Sequence, residues 1–488
     1  MILTKTDPIC QAENNHSNED FATARFIKFL NHIHLKEKLT KIKDDREQKK
    51  CTYKNTSLLL WALSTFFFRQ ESKNALDTTF ADLPLHKRSS LLNFMGIEGD
   101  SLPGRDCVDD YLSSLDYMKI NDLMIEIFSW AKMNKVFYNH SETLLPNNYF
   151  HLGVDGFWVH KYSTPHARNE KGENTCPFCL PRVHNKGKPE EKTYWVHAFV
   201  TFVLIFPGGV QFPIYVYPLK ASQVDVTASD EKLKQECELQ AAQRSLPELK
   251  AKLGRIPITF LGDSLYANEP MIKLLNQLHW SYLIVRQPDT FKTLGRKCDE
   301  LDTSELYQKS YRDKKNIELK KGKTMERTAK WFNNVALGKE SVTNVLRFVE
   351  ITKDEKGCII KKFQTEWLSN TPVSKGNWHL LMERGRLRGD HEDVHNTLKN
   401  RGFAAKHDYA RADPNLWLIW KVLMFVAFFI FELFSFTTLA RQVRGKRSWM
   451  KFAFDLLQQL VEVSWEAISR SECLLKARIQ FRYDFAPE

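Results

Sequence analysis

The sequence predicts an α/β protein: a mixed sheet preceded by a helical N-terminal domain, interrupted by a β-rich insertion and followed by C-terminal helices. Three observations predict it. Residues 1–145 carry helical periodicity. After Asn147, short β-rich runs alternate with amphipathic segments. The 488 residues are too many for one compact core, so several domains are expected.

The elements follow in order. "TSLLLWALSTFFF" and "VDDYLSSLDYMKINDLMIEIFSWAKMN" read as helices, with Pro and Gly punctuating "GIEGDSLPGRD" between them. "YFHLGVDGFWVH" is a short strand-like run. "TYWVHAFVTFVLIF", then "PGG", then "VQFPIYVYPL" reads as a hairpin. A long charged helix covers roughly 229–253. "IPITFLGD" is a buried strand, "EPMIKLLNQLHW" a helix opened by Pro270, and "SYLIV" another strand. Residues 291–375 break the pattern as a β-rich insertion, with a run at 309–330 that holds nine Lys/Arg against three acids. A helix over 384–402, an apolar helix and a C-terminal helix near 446–477 complete the chain. The expected divisions are 1–145, 146–290, 291–375, 376–440 and 441–488, with the second and fourth expected to form one α/β domain.

A net charge of +12 and a pI of about 9.1 favour a polyanionic partner, of which nucleic acid is the commonest. Nine scattered cysteines suit a reducing cytosol, and the N-terminus has no apolar run after a basic start, so no secretory signal is expected. "LWLIWKVLMFVAFFIFELF" at 416–434 is apolar, yet Lys421 and Glu432 leave only ten uncharged residues between them. A membrane span needs about 20. A core helix with one polar edge, shared by Lys421 and Glu432, is expected instead.

The chemistry rests on three carboxylates. Asp155 lies in or at the end of the first strand, and Asp263 ends "ITFLGD". Each alone reads as a turn residue. Glu392 sits in "RGRLRGDHEDVHNTLKNRG", where Arg388, Glu392, His395 and Lys399, at offsets of four, three and four, share one helix face. Such a stripe is commonly a solvated face. As a set, Asp155, Asp263 and Glu392 can hold two Mg²⁺ ions, because hard cations take oxygen ligands and Mg²⁺ keeps several waters.

These blocks resemble the DDE transposases of bacterial insertion sequences, in the branch sharing an R-x3-E-x6-K signature. Arg388, Glu392 and Lys399 stand at that spacing. "GRLRGDHEDVHNTLKNRGFAAKHDYA" looks like the glutamate block, "TFLGDSLYANEPMIKLL" and "YLIVRQPDTFKTL" like the middle block, and "VDGFWVH" with the later "CPFC" like the first. The resemblance runs from about residue 90 to 440. It implies an RNase H-like fold, with Asp155, Asp263 and Glu392 as the catalytic, metal-holding triad and Arg388 and Lys399 as DNA-phosphate contacts. It implies Mg²⁺, with Mn²⁺ as a substitute, and cleavage of transposon ends followed by joining of the 3′-hydroxyl to target DNA. It further implies a homo-oligomer on DNA, cytoplasmic and nucleoid-associated, with no membrane partner. The chain departs from the pattern at Gly385, Gly389, His391 and Asp393, where the family usually has Tyr, Trp, Ile and Asn. A catalytically decayed, transposase-derived DNA-binding protein is the alternative.

Cys176 and Cys179 form the one close cysteine pair, with His166, His184 and His197 nearby. Two thiolates and two imidazoles could bind structural Zn²⁺. A single CxxC with irregular His spacing points instead to a reduced loop with two free thiols. The basic run 309–330 is expected to contact the donor DNA backbone, its simpler reading being a solvated loop.

Overall fold

The computed structural model describes residues 21–137, 150–221, 230–305, 311–320, 322–338, 341–410, 412–474 and 482–483. In chain order the helices and strands begin with α1 (Ala22–His32), α2 (Leu35–Thr40), α3 (Asn55–Phe67), α4 (Lys73–Ala81), α5 (Leu85–Met95), α6 (Arg105–Ser113) and α7 (Tyr117–Met133). Next come β1 (Phe150–Tyr162), β2 (Leu180–His184), β3 (Lys192–Phe206), β4 (Val210–Pro218), α8 (Asp230–Leu253), β5 (Ile258–Gly262), α9 (Glu269–Gln277) and β6 (Ser281–Arg286). Then follow α10 (Lys292–Asp302), β7 (Arg312–Glu318), β8 (Thr324–Leu337), β9 (Ser341–Lys353) and β10 (Ile359–Ser369). The chain ends with α11 (Trp378–Arg386), α12 (His391–Asn400), α13 (Pro414–Ser435), α14 (Thr438–Arg444), α15 (Trp449–Glu462) and α16 (Trp465–Leu474).

The chain divides into two compact units, Met1–Tyr111 with Leu433–Asp484, and Leu112–Glu432 with Phe485–Glu488. The first unit is helical, and its C-terminal helices complete the N-terminal ones. Thr23 Oγ1 donates to Leu456 O at 3.0 Å, and Ser90 Oγ to Val463 O at 2.7 Å. The Phe26 ring meets Phe67 at 5.2 Å and Phe434 at 5.1 Å. Helical periodicity near the N-terminus therefore did not mark one domain: α7 belongs to the sheet unit, where Asn121 bonds both backbone groups of Val216 on β4.

The second unit is built on a mixed sheet with the order β2-β3-β1-β5-β6-β10-β9-β8-β7, and β4 beside β3. β1, β5 and β6 run parallel, and β3 is antiparallel to β1. β3 is buried from Val196 to Phe206, the continuous apolar run expected of a strand covered on both faces. The insertion is not a separate layer. β10 pairs antiparallel with β6, so its four strands extend the same sheet, and a helix, α10, opens it. The basic run forms most of the β7–β8 hairpin rather than a loop. Several of its cations are paired with acids, Lys314 with Glu326, Arg327 with Glu350 and Lys330 with Asp302.

α13 is capped by Asp413, whose Oδ1 accepts from Asn415 N at 2.8 Å and Leu416 N at 3.0 Å. It is the one helix among the described residues long and apolar enough to cross a membrane, and 94% of its most apolar window is buried in the protein. Phe425 lies 5.7 Å from the Phe157 ring of β1 and 6.1 Å from the Phe199 ring of β3. The expected polar edge is half absent. Lys421 is fully buried, donating to Ala405 O at 2.7 Å and His407 O at 2.6 Å, and burial pulls its amine down to about 7.

The single helix expected over 384–402 is two helices, α11 and α12, joined by a 3₁₀ turn at Leu387–Asp390. Gly389, the poorest helix former of that turn, sits within it. The C-terminal helix expected near 446–477 is likewise two, α15 and α16.

Candidate active site

The sheet brings Asp155 and Asp263 level. β1 and β5 pair in parallel through Gly153–Leu261. Parallel partners point to one face, and a strand returns to that face two residues on. Asp155 and Asp263 therefore leave adjacent strands on the same side, just past the last pair, where an α/β sheet opens a crevice. Only Asp263 has the turn role, since Asp155 lies within β1, and each uses one oxygen on a nearby backbone N–H. Asp155 Oδ1 accepts from Gly156 N at 2.9 Å. Asp263 Oδ1 accepts from Leu265 N at 2.9 Å, capping the turn Ser264–Tyr266.

The remaining oxygens meet one cation. Arg388 Nη2 lies 3.5 Å from Asp155 Oδ2 and 3.4 Å from Asp263 Oδ2, while Nη1 lies 3.6 Å from Glu392 Oε1. The sequence-selected carboxylates thus converge on the guanidinium of Arg388. These contacts are longer than strong charge-assisted hydrogen bonds. The side chains are 19%, 33% and 65% exposed for Asp155, Asp263 and Glu392, so the group is reached by solvent.

α12 is held to the sheet through Thr201, a residue the sequence did not single out. His391 Nε2 and His395 Nε2 lie 2.9 and 3.0 Å from Thr201 Oγ1, which donates to Asp155 O at 3.2 Å. Thr201 is the β3 partner of Asp155. Burial holds both imidazoles below their ordinary value, His391 at about 3, with Arg388 adding to the effect. Gly153 permits this approach: a Cβ there would stand 2.7 Å from His391 Nδ1 and 2.5 Å from Ile205 Cδ1. The expected stripe is therefore split. Glu392 is exposed, and His395 is buried against Phe157 with ring centroids 4.5 Å apart. Lys399 Nζ lies 5.0 Å from the Phe157 ring, and burial lowers its amine, with Lys406 adding and Asp155 opposing.

A fourth carboxylate lies behind the site. Glu238, 5% exposed, accepts from Trp158 Nε1 at 2.7 Å. A Cβ on Gly156 would stand 2.2 Å from its carboxyl carbon. Glu238 is one of five acids in α8, so composition could not single it out. Beside Arg388 a cleft of about 390 Å³ opens, lined by Trp367, Gly385, Gly389, Glu350 and Lys361 among others. No protein-family model matches the chain, and no curated protein matches it.

Proposed function

We propose that the chain is a magnesium-dependent DNA transposase of the DDE type, cutting transposon ends and joining the freed 3′-hydroxyl to target DNA. One observation carries this reading: Asp155, Asp263 and Glu392 meet at the Arg388 guanidinium. Three carboxylates from two strands and a helix already stabilise one cation there, and all three are the oxygen donors that Mg²⁺ or Mn²⁺ takes. The residues fit the ions, which when bound would stabilise the attacking and leaving oxygens of a phosphoryl displacement. The strand order β4-β3-β1-β5-β6, with β3 reversed among parallel neighbours, supports an RNase H-like catalytic domain.

Arg388 and Lys399 supply the positive charge that a DNA phosphate needs beside the acids. Departures from the resembled block have local compensation. Where that block carries Tyr, a Cβ on Gly385 would stand 2.5 Å from Trp367 Nε1, so the indole fills the space. Where it carries Ile, His391 is bonded to Thr201. On this reading the protein acts as a homo-oligomer on DNA, in the cytoplasm at the nucleoid.

The test is strand cleavage of DNA carrying the element's ends. Cleavage in Mg²⁺ that EDTA stops is the expected outcome. Binding without cleavage in either Mg²⁺ or Mn²⁺ would establish the second reading, a catalytically decayed DNA-binding protein. That reading draws on the same contacts, since Arg388 occupies the space between all three carboxylates.

A further inference from the structure

The loop between β1 and β3 gathers four potential metal ligands away from the carboxylates. Cys176 and Cys179 are buried and unbridged. His197 on β3 is fully buried, and its Nε2 lies 3.4 Å from Cys176 Sγ and 3.1 Å from Cys179 Sγ. His166 closes the group: one nitrogen of each histidine and the Cys176 sulfur lie within 4.8 Å of one another. His184, at the end of β2, is exposed and drops out of the set. In a tetrahedral zinc site, nitrogen at about 2.0–2.1 Å and sulfur at about 2.3 Å stand roughly 3.6 Å apart, close to the two spacings from His197 Nε2 to the sulfurs.

We propose that Cys176 Sγ, Cys179 Sγ, His197 Nε2 and His166 Nδ1 form a structural zinc site that fastens this loop to the sheet. On the His166 side the second shell has the form such sites need. His166 Nε2 is hydrogen-bonded to Ala410 O and lies 3.4 Å from Asp408 Oδ1. Its Nδ1 is buried without a hydrogen-bond partner, which leaves a lone pair for a metal. The Trp417 ring of α13 lies 4.1 Å from the His197 ring and shields that side from water. All four ligands are complete within one chain, and the site is closed, so its role is folding stability. It stands apart from the proposed DNA chemistry.

The test uses the full chain, purified without metal-affinity steps or added metal. Elemental analysis is expected to find about one zinc per chain, as tight structural binding requires. Exchange with Co²⁺ should give the visible absorption of a tetrahedral S₂N₂ site. Cys176→Ser and His197→Ala should lose the metal, while His184→Ala keeps it. If the first two variants fail to fold, mercurial titration of wild type decides: zinc should leave as two thiols are modified. Less than about a tenth of an equivalent of zinc, with no tetrahedral cobalt spectrum, would overturn the proposal. So would a Cys176–Cys179 disulfide in the protein as isolated, or loss of metal in His184→Ala.

Discussion

Asp155 and Asp263 stand two residues beyond the paired positions Gly153 and Leu261 on adjacent parallel strands, and one nitrogen of Arg388 lies within 3.5 Å of both. Asp155 could not face Asp263 if β1 slipped by one residue, since a slip turns every side chain of the strand to the other face. The register is set by the apolar residues Leu152, Val154, Phe260 and Leu261, all fully buried.

If that pair and Glu392 hold catalytic metal, Asp155→Ala, Asp263→Asn and Glu392→Ala should each reduce strand cleavage at least about 100-fold, as loss of transition-state charge stabilisation does. DNA binding should be nearly unchanged. Asp263→Asn is the cleanest, because an amide oxygen still caps Leu265 N while the charge is lost. Near wild-type cleavage by any one variant in Mg²⁺ would remove that residue from the set.

Arg388 and Lys399 give a second expectation. Replacing either with Ala should weaken DNA binding across sequences and lower the salt slope by about one unit. For Arg388→Ala there is an added effect: three carboxylates lose their shared cation, so the melting temperature should fall without divalent metal and recover on adding Mg²⁺. Fluorimetric melting against Mg²⁺ concentration checks this. A slope unchanged in both variants would return the two side chains to ordinary surface charge.

The three carboxylates that meet at Arg388 could be picked out because each follows a local signal, a β-rich run or a charged helix, and the spacing of Arg388, Glu392 and Lys399 is fixed by chain distance. Where the signal was non-local, the sequence was silent. Nothing in "CIIKKFQTEWLS" announces that Trp367 and Leu368 pair with Val285 and Ile284 and so join the insertion to the main sheet. The break at Gly389 was readable in principle, but the helical charge stripe outweighed it. Thr201 could not be connected to His391 and His395, 190 and 194 residues away, by any local pattern. The Cys176–Cys179 pair was visible, whereas its convergence with His166 and His197 depends on a loop whose path only tertiary packing fixes.

His151 on β1 predicts a specific acid sensitivity. Neither ring nitrogen has a hydrogen-bond partner, and burial, with the nearby Arg384 charge, pushes the imidazole down to about 3. The folded value lies below the ordinary 6.5, so the unfolded chain binds the extra proton. Stability is complete above about pH 6.5 and is lost as pH falls toward 3. At pH 5 the loss from this group is about 2 kcal/mol, from 1.36 kcal/mol per unit. His151→Leu should flatten the melting temperature between pH 7 and 5 relative to wild type. An equal acid slope in both proteins would assign the sensitivity to other groups.

Phe425 tests how α13 is buried. Its ring is fully enclosed and meets Phe157 and Phe199 edge-on, on the face of β1 that also carries Asp155. Phe157 in turn stacks on His395 and lies beneath Lys399, so the aromatic contact runs from α13 through β1 to α12. An aspartate at 425 would be an unpaired buried charge, costing several kcal/mol against a total of about 5–15. Phe425→Asp should therefore leave the sheet unit unfolded by circular dichroism and protease sensitivity. Phe425→Leu should fold, with a loss of about 1–2 kcal/mol from reduced packing. Should this helix instead face lipid, Phe425→Leu would be silent. The wild-type chain would then remain in salt- and carbonate-washed membranes, an outcome incompatible with its packing between Phe157 and Phe199.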